Sequence, residues 1–241
     1  MNESSKLGQI VEIIAPALAE RSAGHDAENR FVDANYRLLK EHRFFGALVP
    51  AALGGLGATY AELCDALRRM AHACPATALA ASMHSHLVAA TVFKYLKGQG
   101  GEPLLRRVAS EQLVLVSTGA GDWFESNGTL ERVPGGYRLT ARKAFCSGSP
   151  AGDLLVTSSV LEDPAKGAEV LHFAVPLSSK GVKIATDWDT LGMRGTGSQT
   201  VHLEGVFVPE EAITVRRPRA GWHPAWSVAL TVAPPIFMAA S

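Results

Sequence analysis

Through the first 111 residues, apolar positions recur every three or four places, and the breaks fall at glycine and proline. That is the period of helices packed by one face. Leu7, Ile10, Val11, Ile14 and Leu18 open the series. The clearest start signal is Thr59-Tyr60-Ala61-Glu62, a capping box in which hydroxyl and carboxylate each satisfy an orphan backbone N–H. Tyr60, Leu63, Cys64, Leu67 and Met70 then share a face predicted to be core, opposite Glu62, Asp65, Arg68 and Arg69. A second long helix is expected from Pro75, a residue suited to a first helical position, to Lys97 before Gly98. A short third one is expected near Pro103, with Leu104, Leu105 and Val108. Val49 to Gly57 reads as a glycine-rich bend between helices and lacks the Lys and Ser/Thr of a phosphate loop.

From Gln112 the period changes to two: 113–116, 137–140, 154–157, 170–175, 182–184 and 201–208. Turn signals such as Pro134-Gly135-Gly136 and Asp163-Pro164 separate these runs. Short strands at this spacing predict a barrel or sandwich. The apolar stretch Trp226 to Ala240 is too short to span a bilayer and carries Pro234-Pro235, so it reads as a broken core helix. The expected fold class is α+β: an all-α domain over 1–111, a β-barrel or sandwich domain over 112–215, and the start of a C-terminal helical segment over 216–241.

Composition narrows the function classes. With 47% hydrophobic residues the chain can build real cores. Lys plus Arg equals Asp plus Glu at 23 each, so no global field recruits nucleic acid or an anionic membrane. A small-molecule substrate is the expectation. Three cysteines, Cys64, Cys74 and Cys146, form neither an even set nor a CxxC pair, which fits a reducing cytoplasm better than a disulfide framework. No signal peptide is expected in the N-terminal segment, which has helical spacing instead. His84 and His86, two places apart on a helix, point about 200° apart and cannot chelate one metal together. No metal site is expected.

Two strand-end loops carry candidate chemistry. Ser117-Thr118-Gly119-Ala120-Gly121-Asp122 offers hydroxyls and close backbone approach. Phe145-Cys146-Ser147-Gly148-Ser149 sets an aromatic face two residues before a hydroxyl, a pairing suited to a planar cofactor. Singly, each reads first as a strand ending in a polar turn. Arg194, in a glycine-rich turn, reads either as an anion ligand or as a buried arginine bonding loop carbonyls. Arg216-Arg217-Pro218-Arg219 reads as a solvated basic linker, with contact to a nucleotide as the alternative.

Taken in order, the segments resemble acyl-CoA dehydrogenases. The matching stretches are Gly46 to Pro50 with Gly54 to Gly57, Ala109-Ser110-Glu111, Thr118 to Asp122, Tyr137 to Lys143, Phe145 to Gly148, Leu191-Gly192-Met193-Arg194, and Glu204 to Pro209. They cover nearly the whole chain from Phe31. The resemblance implies FAD as cofactor, contacted by Val116, Ser117, Thr118, Phe145, Cys146 and Ser147. Phe145 stands where the family usually has a tryptophan flanking the flavin, and Ser147 where it has a threonine near the redox-active nitrogen. It further implies His86 and Asp122 as substrate contacts.

Two departures accompany the resemblance. The family pattern Thr-Glu-Pro-Gly-Ala-Gly-Ser-Asp is shortened to Thr118-Gly119-Ala120-Gly121-Asp122, without the serine that helps position a thioester. The family also continues into a C-terminal helical bundle that supplies the catalytic carboxylate and much of a tetramer interface, whereas this sequence stops at Ser241. The catalytic base is therefore expected outside this sequence, and the full-length form is expected to be a homo-oligomer. The first expectation is an FAD-dependent acyl-CoA dehydrogenase: a base takes the α-proton of an acyl thioester while flavin accepts hydride from the β-carbon. A second is a two-component monooxygenase of the same fold, using reduced flavin, FMN included, from a reductase partner, and O2 to hydroxylate an aromatic substrate. Trp188 with Leu191 to Ser198 resembles that branch. A third is a non-catalytic truncated module.

Overall fold

The computed structural model describes residues 5–162, 167–219 and 222–241, without the side chains of 225–230. The turn expected at Asp163-Pro164 lies outside the described residues. The chain divides into two compact units, one helical and one built on strands.

The helical unit takes the chain through Val114, then Asp189–Gly197 and Ala229–Ser241. Its helices are α1 (Lys6–Ala27), α2 (Asp33–Glu41), α3 (Tyr60–Ala73), α4 (Pro75–Leu96) and α5 (Glu102–Glu111), joined by much of α7 (Pro224–Ala239). Leu7, Val11, Ile14 and Leu18 of α1 are fully buried, as their spacing predicts; each such side chain contributes about 2 kcal/mol by leaving water. The capping box forms: Thr59 Oγ1 accepts from Glu62 N at 3.2 Å, and Glu62 Oε2 accepts from Thr59 N at 2.7 Å. Leu63, Leu67 and Met70 are buried, but Tyr60 and Cys64 sit at the edge of the expected core face. Tyr60 Oη instead donates to Val232 O of α7 at 2.6 Å.

Helix α4 is buried on most sides over Thr77–Ala89, because alanines and serines let neighbouring backbones close in. Buried Thr77 is met from α2, where Asn35 Nδ2 donates to Thr77 Oγ1 at 2.8 Å.

The second unit spans Leu115–Trp188 and Ser198–Val228. Its strands are β1 (Leu115–Ser117), β2 (Thr129–Val133), β3 (Gly136–Cys146), β4 (Leu154–Leu161), β5 (Glu169–Pro176), β6 (Val182–Ile184), β7 (Gln199–Pro209) and β8 (Val215–Pro218). They form one mixed sheet in the order β6-β7-β3-β2-β4-β5-β8, with β1 parallel to β4. The β2–β3 hairpin turns on Pro134-Gly135, where Gly135 at φ 80° supplies the positive angle that a turn with a leading proline requires. Gly136 is obligatory for another reason: a Cβ there would lie 2.2 Å from Val208 O of β7.

Two strands escape the period-two reading. β2 alternates Leu130 with charged residues, and β8 is Val-Arg-Arg-Pro. The expected solvated linker at 216–219 is therefore corrected: Arg217 is in a strand and fully buried. The loop expected over 118–122 also changes, since Ala120–Phe124 forms a short helix, α6.

Replacing Thr59 with alanine removes the reciprocal cap and should cost about 1 kcal/mol, read as a lower urea midpoint with an unchanged slope.

Candidate functional site

The two loops singled out in the sequence meet in the β unit. Gly119 N donates to Ala144 O at 3.1 Å, and a Cβ on Gly119 would press to 3.3 Å from Phe145 Cδ2. Val116-Ser117-Thr118 at the end of β1 and Phe145-Cys146-Ser147 at the end of β3 are thus neighbours. The second segment is shaped by a bulge. Lys143 pairs with Val201 and Cys146 with Gln199, so β3 carries one residue more than β7 across this interval. The extra length puts Phe145 in the left-handed region at φ 56°, with the residue 61% exposed. A bulky residue held there costs on the order of 1–3 kcal/mol, a cost typically found where function demands a shape.

Trp188 stands edge-on to that ring, 6.0 Å between centroids at 81°. A reciprocal clamp fixes the tryptophan. Gln199 Oε1 accepts from Asp187 N at 2.7 Å and Trp188 N at 2.8 Å, and Asp187 Oδ1 accepts from Thr200 N at 2.9 Å. The bonds from Thr200 hold the Asp187 carboxyl below the usual range. Gln199 was not legible as a site residue, because its role is to bond the backbone before a distant aromatic.

Ser147 Oγ shares a hydrogen bond with Ser198 Oγ at 2.8 Å. Cys146 is buried, donates to Lys143 O at 3.3 Å, and has its thiol pushed up to about 12 by burial. It is no nucleophile at neutral pH. Val116 and Ser117 are equally buried, so these three residues can offer a ligand backbone only.

Asp122, expected at the substrate, is turned inward. Its carboxylate accepts from Lys143 Nζ at 2.7 Å, Thr118 Oγ1 at 2.7 Å, Thr157 Oγ1 at 3.2 Å and Asn127 N at 3.0 Å. Four internal donors occupy a group that accepts about four. Asp122 therefore organises Thr118 rather than a ligand. Lys143 is fully buried and also donates to Asn127 O at 2.9 Å and Ser158 O at 2.7 Å, which satisfies all three ammonium protons. Burial pulls its pKa down against the raising effect of Asp122.

The histidines and Arg194 belong to the helical unit. His84 is structural: Nε2 donates to Phe45 O at 2.9 Å. His86 is buried with its ring edge-on to Phe237 at 5.0 Å. Burial lowers its pKa to about 4, so it is neutral at pH 7. Arg194 Nη1 donates to Thr190 O at 3.2 Å, the carbonyl-bonding one of its two expected roles, and lies 3.8 Å from the Asp189 carboxylate. The turn around it docks through Gly195 O, which accepts from Val32 N at 3.1 Å.

Comparison with known proteins agrees with the resemblance. Residues 8–112 match the family model described as acyl-CoA dehydrogenase, N-terminal domain. The chain is 29% identical over 195 residues to the mitochondrial isovaleryl-CoA dehydrogenase of Arabidopsis thaliana, covering 78% of this chain and 48% of that protein. It is also 29% identical over 198 residues to the oxygenase component of FADH(2)-dependent resorcinol hydroxylase from Rhizobium sp., covering 81% and 46%. In fold it matches the nitrososynthase of Micromonospora carbonacea var. africana at a TM-score of 0.86 and 21% identity, covering 99% of this chain and 64% of that one. The family model over residues 8–112 and these relatives support the resemblance to the acyl-CoA dehydrogenase superfamily. It spans about half the length of the curated relatives it matches.

Lys143→Met leaves Asp122 buried without its cation and should cost about 3–5 kcal/mol in urea unfolding, with Asp122→Asn on the same background recovering part of the loss. His86 predicts a pH effect whose sign follows from its lowered value. The unfolded chain binds the proton more readily, so the contribution is whole above the ordinary 6.5 and is lost as pH falls toward 4. His86→Gln should remove a slope on the order of 3 kcal/mol between pH 7 and 4, measured as urea midpoints across that range.

Proposed function

We propose that this chain forms the flavin-holding part of a flavin-dependent oxidoreductase. The observation that carries the reading is the exposed Phe145 ring, held in a costly backbone conformation between Trp188 and the hydroxyl-bearing ends of β1 and β3. An uncovered aromatic face beside hydroxyls and strand-end amides suits a planar, heteroatom-edged ring. Bound there, a flavin would supply the hydride-transfer or O2 chemistry of the reaction.

The residues divide the work of binding. Phe145 offers the stacking face and Trp188 braces it. Thr118 gives its proton to Asp122, so its hydroxyl presents lone pairs and accepts. Ser147 adds a hydroxyl held by its hydrogen bond with Ser198. Val116, Ser117 and Cys146 contribute main-chain groups. This set touches only a ring, and so suits FAD and FMN alike.

Of the two reaction classes, the wall after Thr118 favours hydroxylation by reduced flavin and O2. Gly119-Ala120-Gly121 carries no side-chain hydroxyl to hold a thioester, Asp122 is occupied internally, and the next exposed group is the apolar Phe124. An aromatic or otherwise apolar substrate fits such a wall, with a reductase as partner. Acyl-CoA dehydrogenation is the second reading, favoured by the similarity to isovaleryl-CoA dehydrogenase.

The test is to purify the protein, add FAD or FMN, remove the excess and record the visible spectrum. Retained oxidised-flavin bands are expected; no retention and no quenching of flavin fluorescence would sink the proposal. Anaerobic bleaching by an acyl-CoA would select the dehydrogenase, and oxygen uptake with added reduced flavin and an aromatic compound the monooxygenase. Phe145→Gly should stabilise the flavin-free protein by about 1 kcal/mol by relieving its backbone, while weakening flavin binding by up to about tenfold.

A further inference from the structure

We infer that Arg217 is a positioning residue for this site, acting from edge strand β8 through α6 on Thr118. The inference rests on the flavin reading of Thr118 given above. Arg217 is 1% exposed, the largest fully buried side chain among the described residues. Its Nη2 donates to Trp123 O at 2.9 Å and Phe124 O at 3.0 Å, its Nε to His172 Nε2 at 3.0 Å, and its Nη1 to Pro218 O at 3.3 Å. Trp123 and Phe124 are the last two residues of α6, so the guanidinium caps that helix at the end where a cation is favoured. The bond from Nε requires a neutral His172 with its proton on Nδ1.

Helix α6 needs such a hold. Five residues cannot sustain a helix in water. Besides the bonds within the helix, its ends are closed by Asp122 N to Gly119 O at 2.9 Å and Glu125 N to Gly121 O at 3.3 Å. What fixes it are two buried cations, Lys143 on the Asp122 carboxylate and Arg217 on the terminal carbonyls. The Asp122 carboxylate in turn receives the Thr118 proton. Releasing the far end of α6 frees Asp122 to move and lets the Thr118 hydroxyl rotate. A lysine at 217 keeps the charge but lacks the planar fork that reaches both carbonyls and the imidazole together.

Arg217→Lys is compared with wild type by hydrogen exchange of the 119–125 amides without flavin, and by FAD and FMN titration with the visible spectrum of the bound flavin. Exchange at 119–125 should rise while exchange elsewhere in the sheet holds. Flavin binding should weaken about tenfold, with a band shift like that of Thr118→Val. Combining the two substitutions should add little beyond either, because they act on one hydroxyl. Unchanged exchange at 119–125, or affinity losses that add in full, overturns the inference. If Arg217→Lys does not fold, His172→Asn removes only the Nε acceptor and should raise the same exchange by a smaller amount; no rise there is equally fatal. If the wild type binds neither FAD nor FMN, the flavin reading fails, and exchange at 119–125 alone decides whether Arg217 holds α6.

Discussion

A carboxylate and an ammonium taken out of water together hold the strand-built unit at its most consequential point. Asp122 and Lys143 are buried, and between them they join α6, β3, β4 and the chain at Asn127. A pair of this kind gains little net stability, since desolvation offsets most of the attraction. Its value lies in selectivity. With every donor and acceptor matched, other arrangements of the same segments strand a charge in low dielectric. The ends of β1 and β3 are held side by side because Asp122, closing one loop, and Lys143, just before the other, are committed to this pair.

Much of the architecture was legible because burial imposes a period on the sequence. The helices α1, α3 and α4 were visible in their apolar spacing, and α3 in its capping box. The strands built from β-branched and leucine residues were visible for the same reason. What the period cannot carry is a buried charge. Arg217 looks like solvent-facing sequence, yet carbonyls and an imidazole replace its water. Tyr60 fits the apolar stripe of α3, yet its hydroxyl reaches another helix.

The site was legible in its parts and less so in its roles. Thr118, Phe145 and Ser147 were marked by residue type at strand ends, and their segments are adjacent. Asp122 was marked by the same logic and proved to serve the interior, because nothing local in a sequence tells which way a carboxylate turns. That depends on Lys143, 21 positions away in strand β3. Gln199 was hidden for a related reason, being joined to Trp188 through a main-chain amide rather than as a recognisable pair.

The bulge in β3 has a consequence for how this site can change. Between Lys143 and Cys146 the strand is one residue too long for its neighbour, and that surplus is what turns the Phe145 ring outward. Strand faces alternate, so losing a residue here would restore even pairing and swing the following side chains to opposite sides. Spacing, more than chemical identity, therefore guards this exposed face: exchanging one aromatic for another keeps the pairing, whereas an insertion or deletion beside it does not.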